Sequence, residues 1–166
     1  MERPSILKPF TEPSSGHLWI GIDPGKLTGL SLWDQSGKRF VIVSSFSFWP
    51  AIKVLNHLVI ERYPGRITIV VEDPNQIKGL YNRHQHEARK NLQKYTATIT
   101  GIAQRVGKNK RDAQLIIDWC QENGVRYIAV KPTGSKWDSS TFKSLTKWTG
   151  RTNEHSRDAG RLVFGR

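Results

Sequence analysis

Asp23 ends the apolar run LWIGID, Glu72 ends ITIVVE, and His155 and Asp158 stand three positions apart in NEHSRDAG near the C-terminus. Acids that close β-branched apolar runs sit where strands stop. Carboxylates gathered from such distant positions repel one another unless a cation lies between them, and magnesium is the simplest occupant of such a cluster. Each acid also has a plainer explanation. Asp23 can accept hydrogen bonds from the amides of the turn that follows it, and Glu72 can pair with a nearby lysine. His155 and Asp158 share one face of a helix, as do Glu154 and Asp158, and a solvated polar face explains the same spacing.

The charge of the whole chain narrows what such a cluster would act on. Lysine and arginine number 26 against 14 acids, a formal net charge of +12, and the pI is about 10.1. That excess favours a polyanionic partner, nucleic acid above all, held through phosphate contacts and counterion release. Charge alone does not separate DNA from RNA or an enzyme from a binder. A length of 166 residues suits one domain with a single core. No apolar run approaches the roughly 20 residues of a membrane helix, so no membrane association is expected. Cys120 is the only cysteine, which excludes an internal disulfide and a cysteine-based zinc site. It lies in LIIDWC, where a buried thiol in a reducing, cytoplasm-like compartment fits. Residues 1–17 carry three prolines and lack a continuous apolar stretch; they read as a flexible arm preceding a domain at 18–166.

The elements that must position the acids follow from pattern. Residues 18–23, 27–34 and 38–48 form an antiparallel meander of three strands, the last two joined through Asp34, Gln35, Ser36 and Gly37. Apolar positions 52, 54, 55, 58 and 59 predict a helix over 50–62 beginning at Pro50. ITIVVE (67–72) is a buried strand, expected parallel to the first. Residues 73–95 are polar and basic and read as a loop entering a helix. A long helical stretch over 96–122 is expected to be interrupted at Gly101 and at GKNK (107–110). Its second half, RDAQLIIDWC, is apolar almost all round and is expected either at a subunit interface or in the core. VRYIAVKP (125–132) predicts another short buried strand, and helical segments follow within 134–148 and at the C-terminus. The sum is an α/β layered domain, a class that places ligands at the ends of adjacent strands.

Taken in order, GIDPGKLTG, a strand ending in VVED, a long helix, a strand ending in KPTGSK and a terminal HSRDA resemble the RuvC family of Holliday junction resolvases, in the RNase H-like superfamily. The resemblance runs from about residue 18 to the end. It implies an RNase H-like nuclease domain over 18–166, with a mixed five-stranded sheet (antiparallel strands 1–3, then parallel strands) flanked by helices. It also implies a homodimer and Mg²⁺-dependent cutting of four-way DNA junctions by paired symmetric nicks. The segment after Glu72 is longer and more basic than in the bacterial enzymes. DAGRLVFGR replaces their alanine-rich terminal helix, so compact, phage-type members are the closer match.

By that resemblance Asp23, Glu72 and Asp158 fall on the family's metal-binding carboxylates, and His155 falls where the family has an acid or a histidine. Two Mg²⁺ ions per site, with Mn²⁺ able to substitute, would activate water and stabilise the leaving oxygen. Asp23 would bridge the ions, Glu72 would hold one, and Asp158 the other with His155 or a water; Glu154 is a possible substitute ligand. Lys136 and Lys143 fall where the family has basic residues near the scissile phosphate, although a solvated helix face explains lysines equally well. Lys78, Tyr81, Arg83, Arg89 and Lys90, with Ile77 and Leu80, form the expected DNA-binding segment, where the family inserts an apolar or aromatic side chain at the junction centre. His84 and His86 read as solvated loop residues. RDAQLIIDWC is the expected dimer face. The alternatives are another RNase H-like nuclease, acting on RNA–DNA hybrids or flaps, and a non-catalytic branched-DNA-binding protein. Small size and the lack of a second glycine-rich phosphate loop argue against a two-domain sugar kinase of the same superfamily.

Overall fold

Leu18, Ile20 and Ile22 alternate with Trp19, Gly21 and Asp23, and this two-residue period decides which face of the sheet each side chain meets. In the computed structural model, residues 11–77 and 92–166 are described, with side chains from residue 100 onward in the second stretch. Strands β1 (Leu18–Asp23), β2 (Thr28–Asp34), β3 (Arg39–Phe46), β4 (Ile67–Glu72) and β5 (Tyr127–Val130) form one sheet in the order β3-β2-β1-β4-β5. β1 pairs antiparallel to β2 and β2 to β3, whereas β4 runs parallel to both β1 and β5. The domain is thus α/β, with a mixed five-stranded sheet flanked by helices.

Helix α1 (Phe48–Leu55), continued by a π-helical segment (Asn56–Arg62), and helix α2 (Leu92–Glu122) supply the cover for one face. There Ile20, Ile22, Ile69 and Val71 meet Val54, Leu58, Ile116 and Cys120 in one buried cluster. Helices α3 (Ser139–Thr146) and α4 (Glu154–Val163) cover the other face. Trp33, Phe40, Val70, Phe142 and Val163 pack there, with Trp19 partly buried against them. β1 and β4 are covered on both sides, which is why they read as continuous apolar runs.

Several expectations need correction. α1 starts at Phe48, so Pro50 lies inside its first turn, where no amide donor is needed. α2 runs unbroken through Gly101 and GKNK; a glycine costs about 1 kcal/mol in a helix, and packing of the helix's second half against the sheet outweighs it. RDAQLIIDWC is not apolar all round in place. Ala113, Ile116, Ile117 and Cys120 are buried within this one chain while Gln114 is exposed, so the core takes the face expected to form a dimer. β5 is a half-exposed edge strand rather than a buried one.

Part of the expected N-terminal arm is fastened to the domain. Glu12 accepts from Arg62 and Tyr63, and Arg66 donates to the carbonyls of Ser14 and Gly16. Ser14 donates twice to the buried carboxylate of Asp34. Residues 1–10 lie outside the described residues.

Candidate active site

Parallel pairing of β1 with β4 aligns Ile22 with Val71, so the next residues, Asp23 and Glu72, end neighbouring strands side by side. The period of two points both toward the α4 face. What brings α4 close enough is a pair of glycines. A Cβ at Gly21 would land on the carbonyl of Ala159, and one at Gly29 on the carbonyl of His155, so only glycine lets this helix lie directly on β1 and β2. The first turn is then fixed by a capping box. Asn153 accepts from the Ser156 amide at 2.9 Å, and Ser156 Oγ accepts from the Asn153 amide at 3.0 Å. Asn153 also donates to Ser45 Oγ on β3, and Ser31 Oγ on β2 donates to the Ser156 carbonyl.

With α4 so placed, His155 Nδ1 stands 2.9 Å from Asp23 Oδ2. A carboxylate only accepts, so the proton of this bond sits on Nδ1. Asp158, three residues on, shares that face. Lys136 Nζ lies 3.4 Å from Asp158 and 3.5 Å from Glu154. Arg161, one turn further, brings Nη2 to 4.0 Å from Glu72 Oε1, while its buried Nε has no hydrogen-bond partner among the described residues. The side chains of Asp23, Glu72 and Asp158 are 12%, 16% and 13% exposed, against 60% for Glu154. The first three therefore form the enclosed cluster, with Glu154 at its rim.

The electrostatics are those of acids held against their preference. Burial raises the Asp23 carboxyl above its ordinary value, and Asp158 adds to this, although the hydrogen bond and charge of His155 oppose it. Glu72 is pushed up to about 7 by burial and then by the charge of Asp23, with Arg161 only partly compensating. Asp34 provides a contrast within the same sheet. Its burial also acts to raise the pKa, but hydrogen bonds from Ser14 and Gly37 win, and its carboxyl is held below the ordinary value. Asp34 is a buried acid with its donors supplied by the chain. Asp23 and Glu72 are buried acids that lack an adequate counter-charge, a pattern typical of functional sites.

Three carboxylates and an imidazole are a donor set suited to a hard divalent cation such as Mg²⁺ or Mn²⁺. In their present rotamers the side chains do not surround a common point; among the described residues no group of three His, Cys, Asp or Glu is arranged to hold an ion. Asp23 is engaged by His155 and Asp158 by Lys136 instead. The excess negative charge that lifts Asp23 and Glu72 is what a divalent ion would neutralise, so the residues fit the group.

Of the residues expected at the site, Asp23, Glu72, His155, Asp158 and Lys136 converge. Lys143 does not; it is exposed on α3 and forms no ion pair with a described acid. Lys78, Leu80, Tyr81, Arg83, His84, His86, Arg89 and Lys90 lie outside the described residues. Sequence reasoning passed over Arg161, although its place three residues after Asp158 puts it on the same helical face. No family model matches the chain, and no curated protein matches it.

Proposed function

We propose that this chain is a structure-selective, Mg²⁺-dependent DNA endonuclease that resolves four-way junctions, akin to the RuvC-like resolvases of the RNase H-like superfamily. The observation that carries the reading is the meeting of Asp23, Glu72, Asp158 and His155 at the ends of β1 and β4, with the acids' pKa values lifted by burial and mutual repulsion. The sheet supports it, since three antiparallel strands followed by parallel β4 and β5 is the make-up that the resemblance implies. The formal net charge of +12 suits a phosphodiester substrate.

Mg²⁺ bound at Asp23, Glu72 and Asp158 would supply neutralisation of the phosphodiester and activation of water. The chain's own groups have separate tasks. The Asp23 bond orients His155 with Nδ1 protonated, so that Nε2, 3.9 Å from Glu154 Oε1, can hold a water at the site. Arg161 keeps Glu72 directed toward the strand ends. Lys136 is a long, exposed cation; partial burial alone would lower its pKa, but the charges and hydrogen bonds of Asp158 and Glu154 together outweigh this and push it up. Released by an incoming phosphate, it offsets the charge that develops on the cut backbone. A homodimer acting in the cytoplasm of a bacterial or phage-infected cell would place two such sites on a junction with two-fold symmetry.

Cleavage of a synthetic four-way junction in Mg²⁺ tests this. The wild-type chain should make paired nicks, and Asp23→Asn should lose cleavage by at least 100-fold (about 3 kcal/mol) while still binding the junction. Retained cutting by Asp23→Asn would remove the metal-site assignment. Preferential cutting of an RNA–DNA hybrid or a flap would move the reading to another nuclease of this superfamily. Binding of branched DNA without turnover in Mg²⁺ or Mn²⁺ would leave a non-catalytic binder.

A further inference from the structure

A cavity of about 220 Å³ adjoins the acid cluster, its lining including Asp23 and Glu72. Its other walls are not made for a phosphate. Pro24, Pro74 and Pro132 present saturated rings, and Ile77 and Val106 present branched aliphatic groups. Such a surface suits a flat, apolar face rather than a charge, and the volume is below the roughly 300–1,000 Å³ of drug-sized sites. The polar exceptions are Asn109 and Lys110 on α2. The carboxamide of Asn109 lies over Gly25, where an added Cβ would be 3.6 Å from Oδ1, and it makes no hydrogen bond among the described residues. It is a half-buried donor and acceptor facing an apolar slot.

The walls are fixed before anything enters. Asp73 Oδ1 accepts from both the amide and the side chain of Asn75 at 2.9 Å, and Asn75 Nδ2 donates to the Lys110 carbonyl at 3.2 Å. The Asp73 amide donates to Val130 on β5 at 2.7 Å. These bonds tie the turn after β4 to both α2 and the sheet edge, so the slot is preorganised.

We propose that this cavity receives the nucleobase adjoining the scissile phosphate, unstacked from its neighbours, with Asn109 reading its edge. The proposal rests on the endonuclease reading and deepens it, since it makes the site base-selective. A base has two apolar faces and a polar edge, and apolar side chains packed on those faces hold a base that has left its stack. Unstacking costs least where pairing is already interrupted, as at a branch point. The side-by-side donor and acceptor of an Asn carboxamide match adenine N7 and N6, so adenine is the expected occupant. Lys110 stands beside the slot to meet the backbone of the same nucleotide.

The test uses the Asp23→Asn chain, which should bind without cutting, and four-way junctions carrying 2-aminopurine at single positions within two nucleotides of the cut. Binding should raise the fluorescence at one of those positions. Val106→Trp, which fills the slot, should abolish that rise, with junction affinity kept within about tenfold because phosphate contacts dominate it. In the cutting-competent chain, Asn109→Ala should reduce discrimination for adenine at the same position by on the order of tenfold. A junction bound with no rise at any position would overturn the slot and leave the endonuclease reading standing, as would a rise that survives Val106→Trp. Failure of the Asp23→Asn chain to bind junctions at all would overturn the endonuclease reading, and the slot with it.

Discussion

Replacing Glu72 by glutamine should make the protein more stable while removing its activity. A carboxyl held at about 7 instead of its ordinary 4.5 disfavours the folded state by about 3 kcal/mol once ionised. Solvent reaching the strand end reduces this to about 1–2 kcal/mol. The sign follows from proton uptake. Between pH 4.5 and about 7 the folded chain binds more protons at Glu72 than the unfolded chain does, so this stabilising contribution is complete below 4.5 and is lost as pH rises through about 7. Glutamine does not titrate. The Glu72→Gln protein should therefore match the wild type near pH 5 and exceed it near pH 8 by about 1–2 kcal/mol, or about 3–6 °C in melting temperature for a domain of this size. Thermal and urea unfolding in EDTA at the two pH values measure it, and junction cleavage should fall below detection in parallel. If Glu72→Gln is no more stable than the wild type at pH 8, the acids at the ends of β1 and β4 are not in conflict and need no cation between them.

Magnesium should supply what that substitution removes. In millimolar Mg²⁺ the melting temperature of the wild type should rise by a few degrees at pH 8 and hardly at all for Glu72→Gln, as mass action on a folded-state site requires; equal shifts would place the ion elsewhere. Gly29→Ala would drive a methyl into the His155 carbonyl, so about 1–3 kcal/mol of stability should be lost and cleavage should drop as α4 withdraws. Unchanged unfolding with full activity would show that α4 does not need this close approach. Asp34→Ala strands donors from Ser14 and Gly37 and should cost about 2–3 kcal/mol while leaving cleavage per folded molecule intact; lost cleavage at full folding would deny Asp34 its purely structural role.

Legibility differed by element. β1, β2 and β4 were readable because their apolar runs end at Asp-Pro or Asp-Gln punctuation, and their bounds agree to within a residue. The α2 glycines misled because a local penalty of about 1 kcal/mol is small beside the burial of Ile116, Ile117 and Cys120. The π-helical continuation of α1 had no signal, since its apolar positions suit an α-helix as well. His155 and Asp158 were correctly placed on one face, but the helix's direction of approach depends on Gly21 and Gly29, far away in the chain. Arg161 had a signal in its spacing from Asp158, whereas Asn109 had none, because its importance comes from neighbours brought together by the fold.

By itself the sequence determined the acids' positions at strand ends, their alternation with core residues and the basic surroundings, because periodicity and charge are local or additive properties. The parallel run of β4 was expected; only the tertiary structure decided its register beside β1, that α4 rests on the strand glycines, and that Asp23 meets His155 at 2.9 Å. It also separated Asp34, whose donors come from Ser14 and Gly37, from Asp23 and Glu72, which share too little positive charge. Whether a buried carboxylate is at ease or in conflict depends on which distant groups the fold brings within a few ångströms, since Coulomb and hydrogen-bond energies fall steeply with distance.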